Sequence, residues 1–331
     1  MNEQDESAMQ LQEKIVAILS ERTNGGFSMK RILNCTASDF EKMDKHELLQ
    51  SINASEGRTM LSEVICTSSP LYPELTNAEY VSAFGADLVL LNMFDVNELH
   101  IESFADKGDI IRELKKLVGR PVGINLEPVD SDADKLESLD TLPPGRRATA
   151  ESLQKAKELG VDFVCLTGNP KTGVTNEAII KSTRLASDIA DDQFFIIAGK
   201  MHGAGVRVSA SEGFVDEDTV RAYVQAGADV ILLPGVGTVP GTTLDKTAHL
   251  IEIAKQQGAL ALTTIGTSQE GADEATIQQM ALYNKMAGTD LHHIGDAGFH
   301  GIANPENIMR YSIAIRGKRH TYIRMAASIR R

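Results

Sequence analysis

The chain has no tryptophan among its 331 residues and few aromatic residues of any kind, so its core must be mainly aliphatic. It has three cysteines, Cys35, Cys66 and Cys165, which lie far apart. Their odd number and wide spacing give neither a disulfide framework nor a zinc motif, and suit a reducing compartment. No apolar run is long enough to span a bilayer, and the acidic, polar first residues predict no signal or transit peptide. We therefore expect a cytoplasmic protein without a membrane partner.

Basic residues are in the minority, since 33 Lys and Arg face 46 Asp and Glu, for a formal net charge of −13. This charge disfavours binding to nucleic acid. The charge is uneven, because no acid follows Glu306 whereas seven Lys or Arg do. This basic tail could dock on an acidic surface of the same or a neighbouring subunit, recognise an anionic substrate, or be a solvated helix end.

Two helices are predicted ahead of the first strand. Apolar residues recur at helical spacing within 7–22, and Ser38 and Glu41 have the spacing of a capping box at the start of a second helix. We assign 1–56 to an N-terminal helical extension and 57–331 to the main domain. The extension could plug the bottom of a barrel or act as an oligomer arm, and we expect a homo-oligomer.

From Arg58 onward one unit repeats: an apolar strand, a polar loop and an amphipathic helix. The predicted strands are Thr59–Ile65, Asp87–Asn92, Pro121–Leu126, Asp162–Thr167, Phe194–Ala198, Asp229–Leu233, Ala259–Thr264 and Asp290–Ile294. Apolar strands alternating with striped helices indicate a parallel sheet covered by helices. Eight units of this length favour a (β/α)₈ TIM barrel. The alternative is a Rossmann-like sheet, although no glycine fingerprint follows the first strand.

One connection, 129–147, is long and acidic, and loops of that length are usually lids or disordered excursions. In a barrel of this kind the active site lies at the carboxyl ends of the strands. The polar residues just past each strand should therefore converge there. They include Glu63, Asn92, Asp95, Asn125, Glu127, Thr167, Lys200, His202, Thr267, Glu270, His293 and Asp296.

The last loops carry the strongest functional signal. The loops after strands seven and eight form the usual phosphate position of the fold, and a helix start follows at Asn304. The predicted phosphate-binding residues are Gly235, Gly237, Gly266, Thr267, Gly295 and Gly298. The alternative is that these glycines only permit turns. Adjacent in one strand, His292 and His293 must point to opposite faces, so only one can face the barrel interior.

Lys200 could polarise a carbonyl or form an imine if burial removed its proton, or it could pair with an anion. His202 or Glu127 could move a proton. Glu63, Asp95 and Glu127 follow three consecutive strands and could hold one Mg²⁺, or they could be paired structurally with Lys or Arg. No nucleotide cofactor is indicated.

The stretch 191–235, which contains DDQFFIIAGK and GFVDEDTVRAYVQAGADVILLPG, resembles the middle of the phosphoenolpyruvate mutase and isocitrate lyase superfamily. The resemblance implies a barrel lyase or mutase that acts on carbon acids with Mg²⁺, and it places Asp95 and Glu127 at the metal. Lys200 stands where that family has an arginine.

We therefore expect a barrel enzyme that acts as a lyase or aldolase, or as an isomerase or mutase, on a small anionic metabolite, and we expect that metabolite to be phosphorylated. The alternatives are a metal-assisted hydrolase and a non-catalytic barrel that binds anions.

Overall fold

Eight parallel strands close into a barrel in the order of the sequence, which confirms the predicted TIM-barrel fold. The computed structural model describes residues 29–105, 108–129, 142–168, 174–201 and 215–331. The strands are β1 (Thr59–Ile65), β2 (Leu88–Asn92), β3 (Val122–Leu126), β4 (Phe163–Leu166), β5 (Phe195–Gly199), β6 (Val230–Pro234), β7 (Leu260–Ile265) and β8 (Leu291–Ile294). The barrel closes where β1 pairs with β8, with Thr59 opposite Leu291.

Helices follow the strands as predicted. The helices are α1 (Ala37–Phe40), α2 (Lys45–Asn53), α3 (Asn77–Ala83), α4 (Ile110–Val118), α5 (Ala150–Leu159), α6 (Asn176–Ala190), α7 (Glu217–Gln225), α8 (Leu244–Gln256), α9 (Glu274–Met286) and α10 (Pro305–Ala326). Helix α10 is broken at Gly317, where φ is 74° and ψ is 166°. Within the described ranges, no helix combines the length and apolarity needed to cross a membrane.

The buried apolar side chains form two clusters. The larger one lies between the strands and the outer helices. The smaller one fills the barrel, where Phe163 and Phe195 stack with their ring centroids 5.0 Å apart. Ile32, Leu48 and Ile52 belong to this interior cluster. Residues ahead of β1 therefore cover the amino-terminal end of the barrel.

The start of the chain corrects one helix prediction. Two short helices replace the single helix predicted from Ser38, because Thr36 and Asp39 form the first capping box and Asp44 and Glu47 form a second. Asp44 Oδ1 accepts from Glu47 N at 2.8 Å and restarts the helix there. The predicted helix 7–22 lies outside the described residues. Arg31–Arg331 form one compact unit.

A Gly-x-Asp turn precedes every second strand, which the sequence analysis did not recognise as a repeat. The four acids are Asp87, Asp162, Asp229 and Asp290, and each accepts the backbone N–H of the preceding strand, from Met60, Val122, Ile196 and Ala261 at 2.8–3.0 Å. The preceding glycines all have positive φ, for example 103° at Gly227, a conformation that favours glycine.

Each of these four aspartates also pairs with a cation. Lys115 lies 2.7 Å from Asp162, Lys45 lies 3.1 Å from Asp229 and Lys255 lies 2.9 Å from Asp290. At Asp87 the cations are Arg316 and Arg324 of the basic tail. The repeat thus balances each buried carboxylate with a donor and a positive charge.

Two of the seven residues of the basic tail, Arg316 and Arg324, are buried, whereas Lys318, Arg319, Arg330 and Arg331 are exposed. Arg324 Nε lies 2.7 Å from Asp87 Oδ1, and Arg316 Nη1 contacts the other oxygen of the same carboxylate. All three side chains are almost fully buried. The tail therefore docks on an acid of its own chain and fixes α10 across β2.

Candidate active site at the carboxyl ends of the strands

The carboxyl ends of the strands surround a cavity of about 460 Å³. Its polar lining comes from six strands or the loops that follow them: Glu63, Asn92, Asn125, Glu127, Arg146, Thr167, Thr264, Thr267, Ser268, Glu270, His293 and Asp296. Leu90, Cys165, Met201 and Leu232 supply apolar surface. The predicted convergence of strand-end residues is thus observed for most of the set.

The two adjacent histidines face opposite sides of β8, as strand alternation requires. His292 points outward, where its Nε2 donates to Gly57 O at 3.0 Å and its Nδ1 lies 3.1 Å from the Tyr311 hydroxyl. His293 lines the cavity, and neither of its ring nitrogens has a hydrogen-bond partner among the described residues. Of the pair, only His293 is therefore available to a ligand.

His293 stands among three carboxyl groups, of which Glu270 is buried and Glu63 and Asp296 are mostly buried. Its Nε2 lies 3.3 Å from Glu63 Oε2, without hydrogen-bond geometry. Asp296 Oδ2 accepts from Asn92 Nδ2 at 2.8 Å, and Glu270 Oε1 accepts from Ala297 N at 2.9 Å. No Lys or Arg in the described part of the chain forms an ion pair with any of these three acids. The cluster is therefore acidic and lacks a resident counter-charge.

Burial shifts the pKa values of the side chains in this cluster away from their ordinary values. Burial and the nearby Glu270 raise the pKa of Glu63 to about 8. Burial and Glu63 raise the pKa of Asp296 to about 7, and burial raises the pKa of Glu270. Burial lowers the pKa of His293 to about 4. Near neutral pH the cavity therefore holds a protonated Glu63, a neutral imidazole and an aspartate near its midpoint.

An arginine faces this acidic side from the β3 end of the cavity. Arg146 lies on a 3₁₀ turn just before α5, and its Nη2 donates to Glu127 Oε1 at 3.1 Å. Glu127 was predicted as a proton carrier or metal ligand, or as a carboxylate paired with Lys or Arg, and the structure shows the pairing with Arg146. Gly168 lies close by, since a Cβ there would come within 2.9 Å of Glu127 Oε2. Arg146 is the cation that an anionic ligand in the cavity would meet.

The predicted phosphate-binding glycines are only partly in the cavity. Gly266, Thr267 and Gly295 line it, whereas Gly235, Gly237 and Gly298 are not among its described lining residues.

Most of their N–H groups already have acceptors within the protein. Gly235 donates to Thr264 O, Gly237 to Thr242 O, Gly266 to Thr238 Oγ1 and Gly295 to Ile265 O, at 2.8–3.1 Å. The Thr267 hydroxyl also donates within the loop, to Gly266 O at 2.7 Å. At these four positions the glycine N–H groups are used within the protein, and phosphate binding by these loops stays a prediction.

The glycines of this region also have a packing role. A Cβ at Gly266 would lie 2.5 Å from Met201 Sδ, and one at Gly295 would lie 2.8 Å from Glu270 Oε1. Both glycines thus let side chains that line the cavity approach the backbone closely. A Cβ at Gly298 would lie 2.9 Å from backbone atoms of Ala303 and Asn304.

Two further predicted catalytic residues, Lys200 and Asp95, do not line the cavity. Lys200 is buried, and burial lowers its pKa, but it is not among the described residues that line the cavity. His202 lies outside the described residues. Asp95 also lies off the lining, and its Oδ1 accepts from Asn97 N at 2.7 Å to hold a turn.

The predicted metal ligands do not come together. Glu63 is beside His293, Glu127 is paired with Arg146, and Asp95 holds its own turn. Among the residues described, no group of three or more His, Cys, Asp or Glu side chains is placed to hold a metal ion. The arrangement of these side chains therefore does not fit the Mg²⁺ site that the resemblance implied.

Sequence reasoning identified the position of Glu270 and Asp296 but gave neither a role, and it did not identify Arg146. Glu270 and Asp296 are acids in the loops after strands seven and eight, where only the glycines and Thr267 were given a predicted role. Arg146 lies at the end of the long loop after β3, far from any strand end in sequence. Only its spatial pairing with Glu127 reveals it.

Comparison with known proteins gives a family and a fold. A family model described as a domain of unknown function, DUF7916, matches residues 33–331. No curated protein matches the chain in sequence.

Solved structures are similar to this chain at low sequence identity. The carboxyl transferase domain of Rhizobium etli pyruvate carboxylase, solved with 3-bromopyruvate, is 12% identical with a TM-score of 0.51, over 92% of this chain and 53% of that chain. A proposed lyase/mutase from Burkholderia cenocepacia J2315 is 19% identical with a TM-score of 0.44, over 77% of this chain and 82% of that one. A 2,3-dimethylmalate lyase of the PEP mutase/isocitrate lyase superfamily is 14% identical with a TM-score of 0.45, over 78% and 82%. At these identities the pyruvate carboxylase match shows a shared fold alone, and the chain spans about half the length of that protein.

Proposed function

The chain belongs to the family of the domain of unknown function DUF7916, and we propose that it is an enzyme of the lyase or isomerase type that moves a proton at carbon. Its substrate is a small anionic metabolite with a carbon acid next to a carbonyl or carboxylate. The observation that carries this proposal is the buried group of Glu63, His293 and Asp296 at the cavity, whose pKa values are displaced in opposite directions. Such divergence between neighbouring groups is typical of acid and base partners.

Asp296 is the proposed base. Its pKa of about 7 leaves a substantial ionised fraction at neutral pH, and Asn92 fixes one carboxylate oxygen, so that the other can face the substrate. Removal of the C–H proton by Asp296 leaves the electron pair on the substrate as an enolate. In a lyase the same electron pair comes instead from cleavage of a carbon–carbon or carbon–phosphorus bond.

Glu63 is the proposed acid. With a pKa of about 8 it carries a proton at neutral pH and can donate it to the enolate oxygen. Neutral His293, 3.3 Å from Glu63, can hydrogen-bond either to Glu63 or to the substrate oxygen. The proton from carbon thus ends on Asp296 and the proton on oxygen comes from Glu63, so that the step balances.

Arg146 is the proposed anchor for the anionic group. Its guanidinium uses Nη2 for Glu127, and a planar fork of this kind suits carboxylate or phosphate. A phosphorylated substrate remains our finer proposal, with its phosphate at Arg146 rather than beside Glu63, Glu270 and Asp296. The ionised form of Asp296, which has no counter-charge beside it among the described residues, would repel a dianion.

The experiment is a screen for carbon–hydrogen exchange. Keto acids, hydroxy acids, phosphonates and phosphorylated sugars are incubated with the protein in D₂O, and loss of C–H signals is followed by proton NMR. We expect exchange with at least one anionic carbon acid, and loss of that exchange in Glu63→Gln. Persistence of exchange in Asp296→Asn and Glu63→Gln would contradict the assigned roles.

Two alternatives give different results in the same samples. A metal-assisted hydrolase would lose turnover with EDTA and would show hydrolysis products without exchange. A non-catalytic barrel would bind an anion, seen as a raised melting temperature, without exchange or turnover. Borohydride trapping with substrate, compared between the native chain and Lys200→Met, tests the imine that was predicted for Lys200.

A further inference from the structure

A second cavity, also of about 460 Å³, opens at the opposite end of the barrel. It lies between α1, α4 and the last residues of the chain: its lining is Ala37, Ser38, Phe40, Glu41, Arg112, Lys115, Lys116, Gly119, Arg120, Ile329, Arg330 and Arg331. Gly119 and Arg120 come just before β3, so this cavity is at the amino-terminal end of the strands. We call it the basal cavity.

The basal cavity is strongly basic in a protein whose net charge is −13. Six of its twelve lining residues are Lys or Arg, and Glu41 is the single acid among them. Three of the cations pair with acids outside the lining: Arg112 with Asp109 at 3.1 Å, Lys115 with Asp162 at 2.7 Å and Lys116 with Glu113 at 2.9 Å. In the described part of the chain, no ion pair involves Arg120, Arg330 or Arg331.

Arg120 is the buried member of this group. The residue is 5% exposed, and its guanidinium donates only to backbone carbonyls, those of Ala86, Gly119 and Arg324, at 2.9–3.0 Å. Burial and the charge of Arg324 lower the pKa of Arg120 to about 9. The nearby carboxylate of Asp87 is already bound by two other arginines. Arg120 thus carries a buried positive charge at the cavity wall without an ion pair to any described carboxylate.

One wall of the basal cavity is apolar. Ala37, Phe40 and Ile329 contribute to it. Gly119, with φ of 61°, lets two of them pack closely, since a Cβ at Gly119 would lie 3.0 Å from Ala37 and 3.3 Å from Ile329. An inorganic ion would leave this wall exposed to water. A ligand that satisfies both parts of the lining has an anionic end and an apolar or aromatic body.

We propose that the basal cavity binds a phosphorylated small molecule with at least two negative charges and an apolar or aromatic body. Four of the six cations that line the basal cavity are arginines, whose guanidinium groups match phosphate oxygens, and several cations together can neutralise a multiply charged group. The site lies across the barrel from the proposed active site. It does not depend on the chemistry proposed there.

The test is isothermal titration of the full chain with ADP as the probe, and with pyrophosphate and adenosine as partial probes. We expect ADP to bind, pyrophosphate to bind more weakly and adenosine not to bind, with an ADP affinity that falls as salt is raised. Reversal of two charges in Arg330→Glu/Arg331→Glu should weaken ADP binding by about tenfold or more. If the double variant folds poorly, Lys116→Glu at an exposed position replaces it in the test. This single variant should also weaken ADP binding.

Two controls separate this site from others. Lys318→Glu/Arg319→Glu reverses the same charge on the exposed surface of α10, away from the cavity, and should leave ADP binding unchanged. Arg146→Met removes the cation of the other cavity and should also leave it unchanged. No ADP binding by the native chain, equal weakening by the control pair, or loss of binding in Arg146→Met would overturn the proposal.

Discussion

Among the described residues, carboxylates inside the protein have cationic partners at the amino-terminal end of the barrel and lack them in the cluster at the carboxyl-terminal end. At the amino end, Asp87, Asp162, Asp229 and Asp290 each accept a strand N–H and each pair with Lys or Arg. At the carboxyl end, no described Lys or Arg pairs with Glu63, Glu270 or Asp296, and burial raises the pKa values of all three.

The difference separates acids that stabilise from acids that react. A carboxylate with a donor and a cation has its charge balanced inside the protein and can contribute to stability. Burial raises the pKa of Asp162 and of Asp229 as well, but each of them has a lysine beside it. A carboxylate without such a partner is held partly protonated at the cost of stability, and that is the state that a proton-transfer step requires.

The largest expected effect is on reactivity at the carboxyl end. Glu63→Gln should lower the carbon–hydrogen exchange rate by about 10²–10⁴, since that is the usual contribution of a positioned acid. The variant should be at least as stable as the native chain, because it removes a buried ionisable group. Exchange rates by NMR and urea denaturation check the two parts, and a normal rate in a folded variant would refute the role of Glu63.

The next effect is on stability at the amino end. Asp87→Ala should lower the free energy of unfolding by about 3–5 kcal/mol, because Arg316 and Arg324 would stay buried without their counter-charge. Asp188→Ala, an exposed acid on α6, is the matched control and should change stability by less than about 0.5 kcal/mol. Urea denaturation measures both, and equal small effects would show that the Asp87 cluster is not stabilising.

The pH dependence of stability should differ between the native chain and Glu63→Gln. Because the folded-state pKa of Glu63 is raised to about 8, its protonated form is favoured in the fold, and stability is lost as pH rises from about 4.5 to about 8. The slope is roughly 1.4 kcal/mol per pH unit for each such group.

Glu63→Gln should flatten that slope. His293 acts in the opposite sense, since its pKa is lowered to about 4, so its contribution is lost as pH falls from about 6.5 through 4. Denaturation midpoints at several pH values, read in both proteins, measure the effect. Parallel curves would mean that Glu63 ionises as it does in the unfolded chain.

The smallest effect compares two glycine turns at the amino end. Gly227→Ala should destabilise by about 1–2 kcal/mol more than Gly258→Ala. Both have positive φ, but a Cβ at Gly227 meets Ser187 Cβ at 2.6 Å, whereas a Cβ at Gly258 meets nothing within 4 Å. Gly227 belongs to a Gly-x-Asp turn and Gly258 does not. Melting temperatures of the two variants should rank them in that order, and equal losses would limit the cost to backbone conformation.

The fold could be predicted from the sequence because most of the strands are mainly apolar and alternate with helices that carry an apolar stripe. The strand bounds agree with the structure to within about one residue. The location of the site also followed, since the barrel brings strand ends together whatever their chemistry.

Roles within the site could not be predicted in the same way. Whether Glu127 moves protons or pairs with Arg146 depends on a contact across the β3 loop, and whether Gly266 N–H binds an anion depends on the Thr238 hydroxyl. Both contacts join residues that are far apart in sequence. Strand alternation predicted that only one of His292 and His293 would face the barrel interior. The sequence did not predict which of the two it would be.

The Gly-x-Asp turns also divide the barrel into modules. Each aspartate joins an even-numbered strand to the odd-numbered strand before it, so the chain consists of four two-strand units, each fastened at its base. A cut between units breaks none of these four ties. We therefore expect co-expressed halves that meet at Asp191 and Asp192, between β4 and β5, to reassemble into a barrel, whereas halves divided between β3 and β4 should do so less well. Equal yields of assembled protein from both pairs would show that the units are a feature of geometry without consequence for assembly.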